Sequence, residues 1–186
     1  MQKGKAKARR LQKKVAELIS DLTGIPYGKD ELIESREMGQ SGVDVKLYGR
    51  ARHLFPFAIE CKNQENWSVG TFLKQTIDNW SSEYDFWLLI MAKNHFSPVV
   101  LVNMYHLEEY TEAEGYFNIL KIQITNKKQW NLQKEIQKAR KEIKEDWMII
   151  CPGGIKDTYN VVMDIKLFFK LYEQSKFFKE RLKSGD

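Results

Sequence analysis

The stretch SGVDVKLYGRARHLFPFAIECKNQ, residues 41–64, decides the fold because apolar and polar side chains alternate in two of its segments. Such alternation is typical of β-strands that bury one face. Residues 43–48 and 55–62 are therefore predicted to be strands that pair as an antiparallel hairpin, with a connecting loop at 49–54.

Two carboxylates and one ammonium share the polar face of this hairpin. If the connection is symmetric, Asp44 lies opposite Glu60 at about 5 Å between Cβ atoms, and Lys62 follows on the same side. Carboxylates that close repel each other unless a cation lies between them. Oxygen ligands suit Mg²⁺ or Mn²⁺, and such a metal beside an ammonium favours phosphodiester hydrolysis. A half-exposed sheet with ordinary surface salt bridges explains the same three residues.

The rest of the chain predicts an α/β arrangement from apolar runs and helical periodicity. The helix after the hairpin has Ser68 as its predicted N-cap. Predicted helices are residues 5–22, 67–84, 104–110, 127–145 and 165–182, and further predicted strands are residues 86–91, 99–102, 147–151 and 160–163.

One weak internal similarity is present. Residues 85–90 resemble residues 146–150, and each segment precedes a loop, a short apolar run and a helix. A duplication and a chance similarity between apolar strands are both compatible with this pattern.

The composition excludes several classes of protein. The chain has 186 residues and two cysteines, which predict one domain without a disulfide framework. No apolar run reaches the ~18 residues that a membrane span requires. The N-terminal residues have no apolar core of a secretory signal. We therefore expect a cytoplasmic protein that does not enter membranes.

The formal net charge of +5 is divided unevenly along the chain. Residues 1–14 carry +7, residues 15–126 carry −7 and residues 127–186 carry +5. Basic ends around an acidic middle suit a polyanionic partner such as nucleic acid. Two solvated terminal helices would give the same distribution.

The order of a helix, a Gly-Val-Asp strand, a Glu-Cys-Lys strand and a second helix resembles the core of the PD-(D/E)XK nuclease superfamily. The resemblance covers about residues 4–110. Residues 36–44 and 55–65 look like the motifs of small phage-encoded nucleases, often grouped with archaeal-type Holliday junction resolvases. The resemblance implies a restriction-endonuclease-like α/β fold, with a mixed central sheet flanked by helices in residues 1–126. Residues 127–186 would be a C-terminal α/β extension packed on the core or continuing it.

The same resemblance implies a metal-dependent endodeoxyribonuclease that hydrolyses phosphodiester bonds, with Mg²⁺ as its cofactor and Mn²⁺ as a substitute. A branched substrate, such as the Holliday junction of DNA recombination, and a homodimer are the companion expectations. A phage origin would place the protein in the host cytoplasm. The alternatives are a nuclease of the same fold acting on linear, flap or site-specific DNA, and a non-catalytic DNA-binding module.

The resemblance also assigns roles to residues. Asp44 and Glu60 would be metal ligands together with the backbone carbonyl of Cys61, and Lys62 would be the catalytic lysine. Gln75, in the following helix, would be a further catalytic residue, as in some branches of the superfamily. Many members carry Glu in the first helix where this chain has Gln12, which leaves the number of metals open.

Side chains around these positions are candidates for contacts with DNA. The basic N-terminal segment would neutralise phosphate charge, and the Gly-flanked segment before Asp44 could hold phosphate oxygens, unless it is a plain loop. The candidates are Lys5, Lys7, Arg9, Arg10, Gln12, Arg36, Gln40, Ser41 and Asn63.

Overall fold

Eight strands form one mixed sheet in the computed structural model of the protein, which describes residues 2–36, 41–111, 122–124, 131–143, 146–152 and 159–185. The strand order is β1-β2-β3-β4-β5-β8-β7-β6. The strands are β1 (Ile33–Ser35), β2 (Val45–Leu47), β3 (Phe57–Asn63), β4 (Phe86–Lys93), β5 (Phe96–Asn103), β6 (Ile122–Ile124), β7 (Met148–Pro152) and β8 (Tyr159–Asp164).

Helices pack against this sheet, so the predicted α/β class is confirmed. They are α1 (Gln2–Thr23), α2 (Gly49–Leu54), α3 (Val69–Asp78), α4 (Met104–Thr111), α5 (Leu132–Ile143), α6 (Ile165–Gln174) and α7 (Lys176–Lys183). In the part of the chain that the structure describes, no helix is both long and apolar enough to cross a membrane.

The predicted hairpin is present, but its connection is not a loop. β2 and β3 pair antiparallel with Val45 opposite Ile59, which is the predicted register. Residues 49–54, predicted as a loop, instead form α2. Ala51 and Leu54 lie three residues apart and are both buried. A helical turn brings both side chains to one side of the segment. The alternation in the flanking strands contains no signal for this helix.

Two predicted helices are shorter or divided. The helix predicted over residues 67–84 ends at Asp78, and Ser68 stands at its N-cap position without a side-chain capping bond. The helix predicted over residues 165–182 is interrupted by Ser175, which is extended and accepts a hydrogen bond from the backbone N–H of Phe178. A serine that can cap a new helix ends the first helix there, because its hydroxyl satisfies a free N–H group.

The predicted C-terminal extension joins the same sheet as the predicted core. β8 pairs with β5, and β7 pairs with β8. The charged helix predicted over 127–145 is present as α5, while residues 127–130 and 144–145 lie outside the described residues. Residues 125–126, just before the predicted boundary, also lie outside them.

Six of the eight strands form two halves of the sheet with the same order of elements, and β1 and β2 extend the first half. β3, α3, β4, β5 and α4 are followed by β6, α5, β7, β8 and α6. In each half the first strand pairs parallel with the second, and the second strand pairs antiparallel with the third. The halves meet at the antiparallel pair β5 and β8, where Leu101 lies opposite Val162. The similar segments 85–90 and 146–150 thus begin corresponding hairpins in the two halves.

Aromatic side chains connect the start of β3 with the C-terminal helices. Phe57 lies 5.7 Å from Phe168 and 5.4 Å from Tyr172 between ring centroids. The hydroxyl of Tyr172 donates to the carbonyl of Leu54 at 2.8 Å. This cluster fixes the beginning of the strand that carries Glu60 and Lys62.

Candidate active site

A cleft of about 320 Å³ lies between α1, the hairpin and α3. It is bordered mainly by polar and charged side chains, with two small residues on the α1 wall. The lining residues are Gly4, Ala8, Gln12, Arg36, Asp44, Glu60, Cys61, Lys62, Asn63, Gln64 and Gln75.

Asp44 is the residue just before β2, and it lines the cleft. Gly42 has a φ of 103°, a conformation that glycine adopts readily, and this bend turns the chain into the strand. The backbone N–H of Asp44 then donates to the carbonyl of Ile59 at 2.8 Å. The sheet therefore fixes the backbone of Asp44, and the residue as a whole is only 5% exposed.

Both oxygens of the Asp44 carboxylate are hydrogen-bonded. Oδ2 accepts from the backbone N–H of Cys61 at 2.8 Å. Oδ1 accepts from Nε2 of Gln12 at 2.8 Å and from Nη2 of Arg36 at 3.0 Å. The other terminal nitrogen of Arg36 donates to the carbonyl of Gly42. Three separate segments of the chain thus hold this carboxylate in place.

The pKa of Asp44 is raised above its ordinary value of 3.8. Burial is the main cause, and the nearby Glu60 carboxylate adds to it. The backbone hydrogen bond from Cys61 and the charges of Arg36 and Lys62 act in the opposite direction. Burial also raises the pKa of the Cys61 thiol, so this cysteine is a core residue and not a reactive thiolate.

Glu60 and Lys62 form a connected network with α3. Nζ of Lys62 donates to Oε1 of Glu60 at 2.6 Å and to Oε1 of Gln75 at 2.7 Å. Nδ2 of Asn79 donates to Oε2 of Glu60 at 3.0 Å. Glu60 is 2% exposed, so these contacts are not the ordinary surface salt bridges of a half-exposed sheet.

The donors in the cleft fit a hard divalent cation. Oε1 of Gln12 is buried and has no hydrogen-bond partner among the described residues. A neutral amide oxygen beside two carboxylates gives the all-oxygen environment that Mg²⁺ and Mn²⁺ prefer. The described residues contain no group of three or more His, Cys, Asp or Glu side chains placed to hold a metal. A cation here would therefore use the two carboxylates together with neutral oxygens.

The other predicted DNA contacts are distributed unevenly. Lys5, Arg9 and Arg10 are exposed on α1, the helix that also carries Gly4, Ala8 and Gln12 of the cleft wall. Ser41 is exposed, and Gln40 lies outside the described residues.

Several of the predicted contacts are engaged within the protein, among them Lys7, Asn63 and Arg36. Nζ of Lys7 lies 3.6 Å from Oε1 of Glu65. Nδ2 of Asn63 donates to the carbonyl of Lys7 at 3.2 Å. Arg36 faces Asp44, with its side chain 11% exposed.

Sequence reasoning did not include Asn79 in the site. Asn79 follows Gln75 by one helical turn, so both can face β3 from the same side of α3. This four-residue spacing is the sequence feature that could have placed Asn79 in the site. The structure shows Gln75 bonded to Lys62 and Asn79 bonded to Glu60.

Comparisons with protein-family models, with curated proteins and with solved structures found no match to this chain.

Proposed function

We propose that the protein is a metal-dependent DNA endonuclease with a restriction-endonuclease-like core. The observation that carries the proposal is the pair of buried carboxylates, Asp44 and Glu60, held in one open cleft beside Lys62. Buried carboxylates without a compensating role are costly, and their placement in a cleft favours a chemical use.

Asp44, Glu60, the amide oxygen of Gln12 and the carbonyl of Cys61 would hold Mg²⁺. When bound, the ion would supply Lewis-acid activation and offset negative charge on the scissile phosphate. The protein contributes the fixed positions of these oxygens. Backbone pairing holds Asp44 beside the strand β3 that carries Glu60 and Cys61, and α1 carries Gln12.

Lys62 would stabilise charge that develops on the phosphate during hydrolysis. Its ammonium is held between Glu60 and Gln75, so its position is fixed before the substrate arrives. Preorganised cations in a partly dry site are worth more than mobile ones in water. Gln75 acts as a positioning residue that keeps Nζ of Lys62 toward the cleft.

The α1 wall suits an extended polyanion. Gly4 has no side chain and Ala8 has a small one, so this side of the cleft is open. A Cβ added at Gly4 would meet no atom within 4 Å. Lys5, Arg9 and Arg10 are exposed on the same helix and would contact the phosphate backbone. A branched DNA such as a Holliday junction is the substrate that the sequence resemblance favours.

A homodimer is part of this proposal because a junction requires cuts in two strands. The line of paired residues that begins at Glu60 crosses the sheet through Leu101 and Val162 and ends at Gln123. The second half of the sheet therefore has a neutral residue in the place of Glu60. With one such site in the described part of the chain, a second copy would make the second cut.

The test is cleavage of four-way-junction, flap and linear duplex DNA in Mg²⁺ and Mn²⁺. We expect Asp44→Asn and Lys62→Ala to reduce cleavage by about 10²–10³-fold or more. Lys74→Ala is the matched control, because Lys74 lies on α3 but its Nζ pairs with Asp78 in solvent at 2.7 Å. Full activity of Lys62→Ala would contradict the site, and equal cleavage of linear duplex would remove the branched substrate.

One observation favours a second candidate, a DNA-binding module without catalysis. Oδ1 of Asp44 accepts two hydrogen bonds from protein donors, Gln12 and Arg36. DNA binding by the wild type without cleavage in either metal would support this candidate over the nuclease.

A further inference from the structure

Oδ1 of Asp44 is fully occupied by protein donors. A carboxylate oxygen has two lone pairs in the carboxylate plane, and here Gln12 and Arg36 use both of them. Oδ2 accepts from the backbone of Cys61 inside the hairpin. A cation that binds Asp44 at Oδ1 must therefore displace a donor.

We propose that Arg36 is an exchangeable counter-ion of Asp44. In the metal-free protein it neutralises the carboxylate, and when a divalent cation binds it leaves Oδ1 and turns to a DNA phosphate in the same cleft. The inference rests on the proposed function in one respect, namely that Asp44 is a metal ligand.

Charge decides which donor leaves. Arg36 carries a full positive charge at 3.0 Å from Oδ1, so a cation on this oxygen would repel it. Gln12 is neutral, and its buried Oε1 has no partner among the described residues. Gln12 therefore gains a ligand when a cation arrives, whereas Arg36 loses its place.

The Arg36 side chain can exchange while its backbone stays fixed. The N–H of Arg36 donates to the carbonyl of Asp44 at 3.0 Å, which keeps the main chain beside β2. Among the described residues, its other side-chain hydrogen bond is to one carbonyl, that of Gly42. Arg36 lines the cleft, so a released guanidinium remains in the space that a phosphate would enter. Its fork of donors matches two phosphate oxygens.

The exchange couples cation binding to DNA binding. Release of Arg36 by the cation provides a phosphate contact, and DNA that holds Arg36 removes the competitor of the cation. By linkage, each ligand must strengthen binding of the other by the same factor.

The test is the affinity of the DNA-free protein for Mn²⁺, measured by titration calorimetry. We expect Arg36→Gln to bind Mn²⁺ roughly tenfold more tightly than the wild type, because Mn²⁺ no longer has to displace a positively charged guanidinium from Asp44. Arg36→Lys keeps the charge, and we expect it to bind Mn²⁺ less tightly than Arg36→Gln. The matched control is Arg52→Gln, which removes an exposed arginine that pairs with Glu83 on the protein surface.

DNA binding provides the second measurement. In Ca²⁺, Arg36→Gln should bind DNA more weakly than the wild type and should lose most of the coupling between cation and DNA. Unchanged or weaker Mn²⁺ binding by Arg36→Gln would overturn the exchange. If this variant folds only with Mn²⁺, the exchange is supported, and if it folds in neither condition, the exchange is overturned. Absence of Mn²⁺ binding by every form would overturn the metal site itself and the proposed function.

Discussion

Gln12 shows how one side chain adjusts the whole candidate site. It is 4% exposed, and its amide donates to Asp44 while its own oxygen lacks a partner among the described residues. A glutamate in this position, as in many members of the resembled superfamily, would add a third negative charge to the cleft. The amide therefore keeps the negative charge of the cleft lower than a glutamate would, while it still presents an oxygen to the cleft.

The first prediction follows from this exchange of charge. Gln12→Glu removes a donor to Asp44 and places a carboxylate beside it, so the metal-free protein should lose about 1–3 kcal/mol of unfolding free energy. Mn²⁺ should restore more stability to this variant than to the wild type. Thermal melts with and without Mn²⁺ measure both effects. Glu17→Gln, on the exposed side of α1, is the control, and an equal response of the two variants would contradict the prediction.

At the scale of elements, α4 is attached to the sheet through His106. The imidazole packs 5.3 Å from the Trp80 ring and 5.2 Å from the Phe86 ring between centroids. Its Nδ1 is buried without a hydrogen-bond partner in the described part of the chain. The neutral ring therefore suits this environment better than the charged one.

The second prediction concerns the pH dependence of stability. Burial lowers the pKa of His106 below its ordinary value of 6.5, so the folded state favours the neutral ring. Stability from this residue is present above the unfolded pKa and is lost as pH falls toward the folded pKa. The wild type should therefore lose stability in mildly acidic solution, and His106→Leu should lose less. Urea unfolding across this pH range measures the slope, and identical slopes would contradict the assignment.

The hairpin could be predicted from sequence because alternation fixes which side chains share a face. Asp44, Glu60 and Lys62 follow directly from that pattern. α2 and the interruption at Ser175 could not be predicted in the same way. These boundaries depend on tertiary burial and on a local capping bond.

The site was less predictable than the hairpin. The long-range bonds from Gln12 and Arg36 to Asp44 depend on how α1 and the end of β1 pack against the hairpin. Local spacing contains no information about such packing.

At the scale of the whole molecule, the C-terminal helices connect the two halves of the sheet because they cover the start of β3. Tyr172 is fully buried and donates to Leu54 at 2.8 Å. This hydrogen bond joins segments from the first and second halves of the sequence, as the Phe57 ring contacts also do.

The third prediction tests that connection. Tyr172→Phe leaves the carbonyl of Leu54 without its donor, so the unfolding free energy should fall by about 1–3 kcal/mol in one transition. Equilibrium urea unfolding followed by tryptophan fluorescence measures the change. Tyr105→Phe is the control, because Tyr105 is 61% exposed. Two separate transitions would show that the halves unfold independently.

The fourth prediction concerns the basic end of α1. If Lys5 and Arg9 contact phosphates, the double variant Lys5→Gln and Arg9→Gln should reduce the dependence of log K on log salt by about 1.8. DNA binding measured over a range of salt concentrations gives this slope. Lys179→Gln and Lys183→Gln on α7 change the net charge equally and should leave the slope nearly unchanged. The same reduction in both pairs would place the DNA elsewhere.

The aromatic cluster around Phe57 has a consequence for protein synthesis. Phe57 precedes Glu60 by three positions, but two of the rings that cover it come from Phe168 and Tyr172. A nascent chain on the ribosome must therefore release residue 172 before the strand of the candidate site is covered. Activity that depends on this strand would appear only after most of the chain has been translated.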